Sequence, residues 1–215
     1  MVVAPRLKLC RGLAPARMTQ AVGGGLLAFC LAGQLLAASA PSPLRTMPAK
    51  DVQEHQVTRG PGQRILTNTG VWSPDGEWIV YDTRSDPPVG DGFDGLRIEL
   101  VHVRTGEVKS VYASRNGAFC GVATFNPREP KVVFILGPEH PTPDWQYGFS
   151  RRQGVIVDTR RPGIGVNLDA CDLVPPFTAG ALRGGSHVHV WDAAGDWVSF
   201  TYEDQVLAAI GAETE

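Results

Sequence analysis

The sequence predicts an all-β fold, and three observations carry that prediction. After residue 62, no stretch keeps a helical spacing of hydrophobic residues for about twelve positions. Short alternating runs are separated instead by turns, which suits a chain with 25 glycines and 17 prolines. The third observation is an internal repeat of the same strand–turn–strand unit.

The repeat occurs three times, in segments 71–81, 124–134 and 190–200. Each segment has an aromatic residue, then a turn, then a strand that contains a second aromatic residue. In the first segment Pro74 presets the backbone for a turn, and Asp75 and Gly76 tolerate a positive φ. The second segment lacks the glycine and the third lacks the proline, so the match is graded.

A second hairpin follows the first two segments. Residues 96–103 alternate, Thr105 and Gly106 turn the chain, and residues 108–112 return; residues 154–168 have the same form. Two hairpins make a four-stranded sheet, and a four-stranded sheet repeated along a chain predicts the blades of a β-propeller. Only residues 201–215 follow the third segment, so we expect about two and a half blades. Since an unclosed propeller exposes strand edges, we expect either a fragment or a chain whose missing blades come from another chain.

The N-terminal region is predicted to be separate from this domain. Basic residues in 1–17, an apolar stretch in 21–38 and the small residues of 38–40 are the three parts of a secretory signal. We therefore expect a signal peptide or N-terminal anchor in 1–40, a linker in 41–62 and the partial propeller in 63–215. The protein would be periplasmic or secreted, with no stable membrane span after processing. If the true start is Met47, the protein would instead be cytoplasmic.

Charge and cysteine content limit the partners. The formal net charge of −2 has no basic excess, so we expect no nucleic-acid partner. Cys120 and Cys171 are the cysteines beyond the leader. They would pair in an oxidising compartment or remain as two buried thiols, and the spacing does not decide between these alternatives.

The repeat resembles that of the TolB-like propeller family, in which the turn reads Ser-Pro-Asp-Gly, as at residues 73–76. The chain is more closely similar to the YidR-like bacterial proteins, an uncharacterised group, from about residue 63 to the C-terminus. The runs that carry this similarity are LTNT (66–69), HVRTGEV (102–108), GPE (137–139), GVIV (154–157), NLDA (167–170) and GALRGGSHVHV (180–190). The resemblance implies a propeller of the six-bladed type, with this chain as a truncated member, and implies no established activity.

His187 and His189 are the first candidate site residues. Residues two apart in a regular strand point to the same face, so the two imidazoles are expected to project together. The resemblance places their strand beside the central channel of the propeller. There they could hold a divalent metal, Mn or Zn, or a carboxylate substrate. The alternative is a pair of histidines that only hydrogen-bond within a polar channel.

Three further residues are candidates for ligand binding. Arg183 precedes the histidine strand and could clamp an anion, with Gly184 and Gly185 allowing close approach. Glu139 and His140 lie in an aromatic-rich insertion and could complete a site with the histidines. A plain turn and a loop packed on its own sheet are the respective alternatives.

The sequence favours a binding module over an enzyme. It has no Gly-x-Ser-x-Gly, no phosphate-binding loop with Lys and no His-Glu-x-x-His. We expect an interaction module of the cell envelope that binds a protein or glycan at the propeller face. The alternative is a metal-dependent polysaccharide lyase of the oligogalacturonate-lyase kind, because related propellers of that kind use channel histidines with a metal.

Overall fold

The structure is a computed structural model that describes residues 53–86, 93–168, 179, 182–203, 206 and 210. The chain divides into two units, Met1–Asp51 and Val52–Glu215. The signal or anchor expected in 1–40 lies outside the described residues. Among the residues that are described, no helix is long and apolar enough to cross a membrane.

The described part of the second unit is all-β, as expected. A first sheet has four antiparallel strands in sequential order, β1 (Gln63–Ile65), β2 (Trp78–Arg84), β3 (Arg97–His102) and β4 (Val108–Ala113). A second sheet has the same order, with β5 (Cys120–Phe125), β6 (Lys131–Leu136), β7 (Gln153–Asp158) and β8 (Gly165–Asn167). A two-stranded ribbon follows, β9 (Ser186–Trp191) with β10 (Val198–Tyr202). A 3₁₀ turn, Phe149–Arg151, precedes β7.

The hairpins expected from the repeat are therefore present, and one local difference occurs in the first. β1 covers only three residues, and the next pairing with β2 is an isolated bridge between Trp72 and Ile79. The chain between them, residues 66–70, has no strand hydrogen-bonding pattern, whereas Val71 O accepts from Val80 N at 2.9 Å. This run contains small and polar residues, which favour turns over a regular strand.

The three turns of the repeat use one hydrogen-bonding scheme. The residue after each first aromatic accepts backbone N–H groups from its own turn. The Ser73 hydroxyl oxygen accepts from Trp78 N at 2.9 Å, and the Asp192 carboxylate accepts from Trp197 N at 3.0 Å. In the second turn the Asn126 side chain accepts from Arg128 N at 2.8 Å. Side chains that close turns in this way explain why the repeat persists after the loss of its proline or glycine.

The hydrophobic core lies between the two four-stranded sheets. Its fully buried members come from both sheets and include Val80, Ile98, Val132, Phe134 and Val157. The Tyr112 and Phe134 rings, one from each sheet, have centroids 4.8 Å apart. The ribbon packs against the second sheet, since Thr124 Oγ1 donates to His189 O at 2.9 Å.

The sheets have two different edges. The hairpin turns of both sheets and of the ribbon lie at one edge, which we call the turn edge: residues 73–77, 103–107, 126–130, 159–164 and 192–197. The opposite loop edge carries the longer connection 137–152 and the start of β9. Loops on a rigid scaffold commonly carry binding residues, so the loop edge is the place to look for a site.

Candidate functional site

The strand that carries the two histidines is not regular. β9 has a β-bulge, because His187 pairs with Thr201 and Val190 pairs with Ser199, which leaves Val188 and His189 opposite Phe200 alone. Val188 has a φ of 54°, in the left-handed region. A β-branched residue rarely adopts this conformation, which costs of the order of 1–3 kcal/mol.

The bulge changes the expected geometry of His187 and His189. Two residues share a strand face only when the pleat between them is regular, and here one extra residue interrupts it. By cross-strand register, His187 lies on the face of Thr201 and His189 on the face of Phe200, and these faces are opposite. The expectation of parallel projection needs this correction, because Val188 has no glycine-like signal that would reveal a bulge in the sequence.

His189 is completely buried, with 0% of its surface exposed. Its ring centroid lies 5.3 Å from that of Phe200, and its Nε2 lies against Gly154 of β7. A Cβ at position 154 would come within 2.6 Å of that nitrogen, so glycine is needed there for the imidazole to fit. Neither ring nitrogen has a hydrogen-bond partner among the described residues.

Arg152 is the second buried member of the site. It is 5% exposed, and its Nε has no hydrogen-bond partner in the described part of the chain. Its guanidinium carbon lies 5.3 Å from the centroid of the exposed Phe149 ring. Arg152 forms no salt bridge with any described acidic residue.

The backbone fixes Arg152 beside β9. Gly185 N donates to Arg152 O at 2.7 Å, and Glu203 N donates to Gly185 O at 3.0 Å. Gly185 has a φ of 100°, and a Cβ there would overlap Glu203 O. The glycines were expected to allow close approach of a ligand, but Gly185 instead lets the backbone at Glu203 approach closely. Ser186, the next residue, is 1% exposed, and its hydroxyl also lacks a partner among the described residues.

These four residues form what we call the bulge cluster: Arg152, Ser186, His187 and His189. Burial, the nearby His187 and the charge of Arg152 lower the pKa of His189 to about 4. Burial and the charge of Arg152 also lower the pKa of His187. Both imidazoles are thus neutral at pH 7, and each offers one N–H donor and one acceptor nitrogen.

The charge of the bulge cluster bears on the metal that was expected at His187 and His189. A cation bound there would be repelled by Arg152, and this repulsion is strong where burial removes water. In the described part of the chain, no group of three or more His, Cys, Asp or Glu side chains could hold a metal ion. The Mn or Zn site stays a prediction, whereas an anion fits the observed charge.

The other candidate residues lie in different surroundings. Glu139 accepts a hydrogen bond from Asn116 Nδ2 at 3.1 Å and lines a cleft of about 290 Å³ whose lining includes neither histidine. His140 is exposed, and its backbone N donates to Asn116 O at 2.8 Å. Arg183 is half-buried just before Gly184. The roles of these three residues stay predictions.

Cys120 is a free thiol at the start of β5, and burial raises its pKa to about 12. Cys171 lies outside the described residues. A thiol with so high a pKa is protonated at pH 7 and has little nucleophilic character, so Cys120 contributes packing rather than chemistry.

Sequence reasoning missed Arg152 and Ser186. Arg152 is the second of two adjacent arginines at the end of a long loop, and no local pattern distinguishes it from Arg151. Ser186 begins the histidine strand, but only the fold shows that its hydroxyl is buried without a partner.

Comparisons with known proteins identify a family of unknown function and an uncharacterised relative. The family described as a protein of unknown function (DUF3748) matches residues 119–215, which include the whole bulge cluster. The Escherichia coli (strain K12) protein described as uncharacterized protein YidR is 48% identical over 152 residues. That alignment covers 71% of this chain and 35% of YidR, so the chain matches about a third of its relative. No solved structure matches the chain. These findings support the resemblance to the YidR-like group.

Proposed function

We propose that this chain is a binding module whose ligand occupies the bulge cluster. The observation that carries the proposal is Arg152, a cation that is 95% buried without an acidic partner in the described part of the chain. A buried charge without a partner is destabilising, so its retention is more easily explained by a ligand than by folding. The site lies at the loop edge, next to the long connection 137–152, and such loops commonly carry binding residues.

The proposal extends to the architecture and to the class of ligand. Two four-stranded sheets followed by a ribbon are the units expected of a TolB-like propeller, and the repeat of the turn chemistry supports that assignment. The partner would be a protein or glycan that contacts the propeller face. Further blades would be supplied by additional sequence or by another chain.

A cell-envelope location is part of the same proposal. It rests on the basic, apolar and small-residue order of residues 1–40. Expression of a C-terminally tagged chain, followed by fractionation and N-terminal sequencing, tests it. Recovery in the periplasm with a mature terminus near residue 41 is expected. Recovery in the cytoplasm with Met47 as the first residue would favour the alternative.

The binding role is tested by screening glycan and peptide arrays with the full chain, the Arg152→Met variant and the Arg151→Met control. Arg151 is adjacent, carries the same charge and lies 5.0 Å from the Trp145 ring centroid, so its loss changes net charge equally. We expect a ligand that binds the full chain and Arg151→Met but not Arg152→Met. Ligands that bind all three proteins equally would contradict the proposal.

The same screen includes Mn²⁺ and Zn²⁺, measured by calorimetry on the full chain and on a His187→Ala/His189→Ala double variant. Tight stoichiometric metal binding that the double variant loses would contradict an anion-binding role for the bulge cluster. It would favour the metal-dependent lyase instead.

A further inference from the structure

The charge balance of the bulge cluster defines its ligand more closely. The first sheet shows how this protein treats a buried charge elsewhere: Asp82 is completely buried and pairs with Arg84 at 2.8 Å. Arg152 is buried almost as deeply, yet no described carboxylate approaches it. The missing member of the cluster is therefore a negative charge.

The hydrogen-bond donors of the cluster indicate which kind of anion would fit beside Arg152. A guanidinium presents parallel N–H groups that match the two oxygens of a carboxylate. The Ser186 hydroxyl and one N–H of His189 are two further donors whose atoms have no partner among the described residues. One cation and neutral donors match a singly charged acceptor better than a dianionic phosphate, which would bring a second charge without a counterpart.

We propose that the bulge cluster binds a carboxylate group of the ligand, with Arg152 as the counter-ion and Ser186 and His189 as additional hydrogen-bond donors. This inference rests on the proposed binding function and adds the chemical class of the ligand. The exposed Phe149 ring beside Arg152 covers one side of the guanidinium and presents an apolar surface next to the carboxylate. The occupant is thus a carboxylate carried on a small organic group, free or at the end of a larger molecule.

The test uses NMR of the full chain labelled with ¹⁵N, with acetate, acetamide and inorganic phosphate as probes. Acetamide has the shape of acetate without the charge. We expect saturable shifts of the His189 ring nitrogens with acetate, and none with acetamide. Arg152→Met should weaken acetate binding by about tenfold or more, and Arg151→Met should leave it unchanged.

A second variant, Arg152→Lys, keeps the charge but loses the paired donors, so it should bind acetate several-fold more weakly than the wild type and better than Arg152→Met. Equal shifts with acetate and acetamide, preferential binding of phosphate, or no effect of Arg152→Met would overturn the carboxylate assignment. A neutral array ligand that depends on Arg152 would overturn this assignment and leave the binding function intact. If neither array ligands nor acetate depend on Arg152, both proposals fall.

Discussion

The bulges of β5 and β9 have the same backbone form and opposite electrostatic surroundings. In β5, Val122 and Ala123 lie opposite Phe134, and Val122 has a φ of 59°; in β9, Val188 and His189 lie opposite Phe200, and Val188 has a φ of 54°. The Val122 amide donates to the carboxylate of Asp82 at 3.0 Å. Beside Val188 the buried charge is the cation of Arg152.

This difference lies in how the polar groups at the two bulges are satisfied. Asp82 is satisfied from two sides, by Arg84 and by the Val122 amide, and Gly121 leaves room for its carboxylate. At β9 the Arg152 Nε, the Ser186 hydroxyl and both ring nitrogens of His189 have no hydrogen-bond partner among the described residues. The same kind of bulge thus has satisfied polar groups in β5 and polar groups without partners in β9.

The largest expected effect comes from removing the acceptor at the β5 bulge. Asp82→Ala removes the acceptor of the Val122 amide and of Arg84 Nε, so the free energy of unfolding should fall by about 3 kcal/mol. Urea denaturation followed by circular dichroism measures this loss. Asp82→Asn, which keeps an acceptor oxygen, should lose clearly less. Equal stability of Asp82→Ala and wild type would show that the β5 bulge does not depend on this carboxylate.

Next in size is the pH dependence caused by the β9 bulge. His189 has a pKa of about 4 when folded and an ordinary value of 6.5 when unfolded, so its contribution to stability is present above pH 6.5 and is lost as the pH falls towards 4. Between pH 7 and pH 5 the free energy of unfolding should fall by about 2 kcal/mol from this residue. Arg152 and His187 are the groups whose charges act on His189.

The control for this effect is His189→Gln, which keeps a polar side chain of similar reach and cannot titrate in this range. Between pH 7 and pH 5 its free energy of unfolding should fall by about 2 kcal/mol less than that of the wild type. Parallel pH profiles of stability for the two proteins would mean that His189 is protonated as readily in the folded state as in the unfolded state.

A smaller difference in stability is expected between glycine substitutions at Val188 and at Val122. Val188→Gly relieves the left-handed strain at a half-buried position, and we expect a gain of about 0.5–1 kcal/mol. Val122→Gly relieves the same strain but loses a side chain that is only 2% exposed, so a net loss of about 1 kcal/mol is expected. Thermal unfolding of both variants compares them. Losses of the same size would show that the two bulges are energetically alike.

The strands and turns could be predicted from the sequence because their signals are local. Alternating residues located β3 and β7, and the residues after Trp72 and Trp191 indicated the turns that close them. His187 and His189 were also identified as candidates from the sequence, and their role stays a prediction. The TolB-like propeller and the envelope location stay predictions.

The site itself could be predicted only in part, because its decisive features are not local. Val122 and Val188 take a conformation that sequence patterns assign to glycine, so neither bulge was expected. The burial of Arg152 depends on contacts with Gly185, 33 residues further along the chain. Whether Arg152 has a carboxylate partner depends on which side chains the fold brings near it, and a sequence does not show that.

The central claim is that Arg152 serves a ligand rather than the fold, and its replacement by methionine tests this most directly. The free energy of unfolding of Arg152→Met, measured in urea without added ligand beside the wild type and Arg151→Met, should be unchanged or higher by up to about 1 kcal/mol, because an unpaired buried charge has been removed. A loss comparable to that expected for Asp82→Ala would contradict the account. Arg152 would then be a structural residue, and the β9 bulge would be a second version of the β5 bulge.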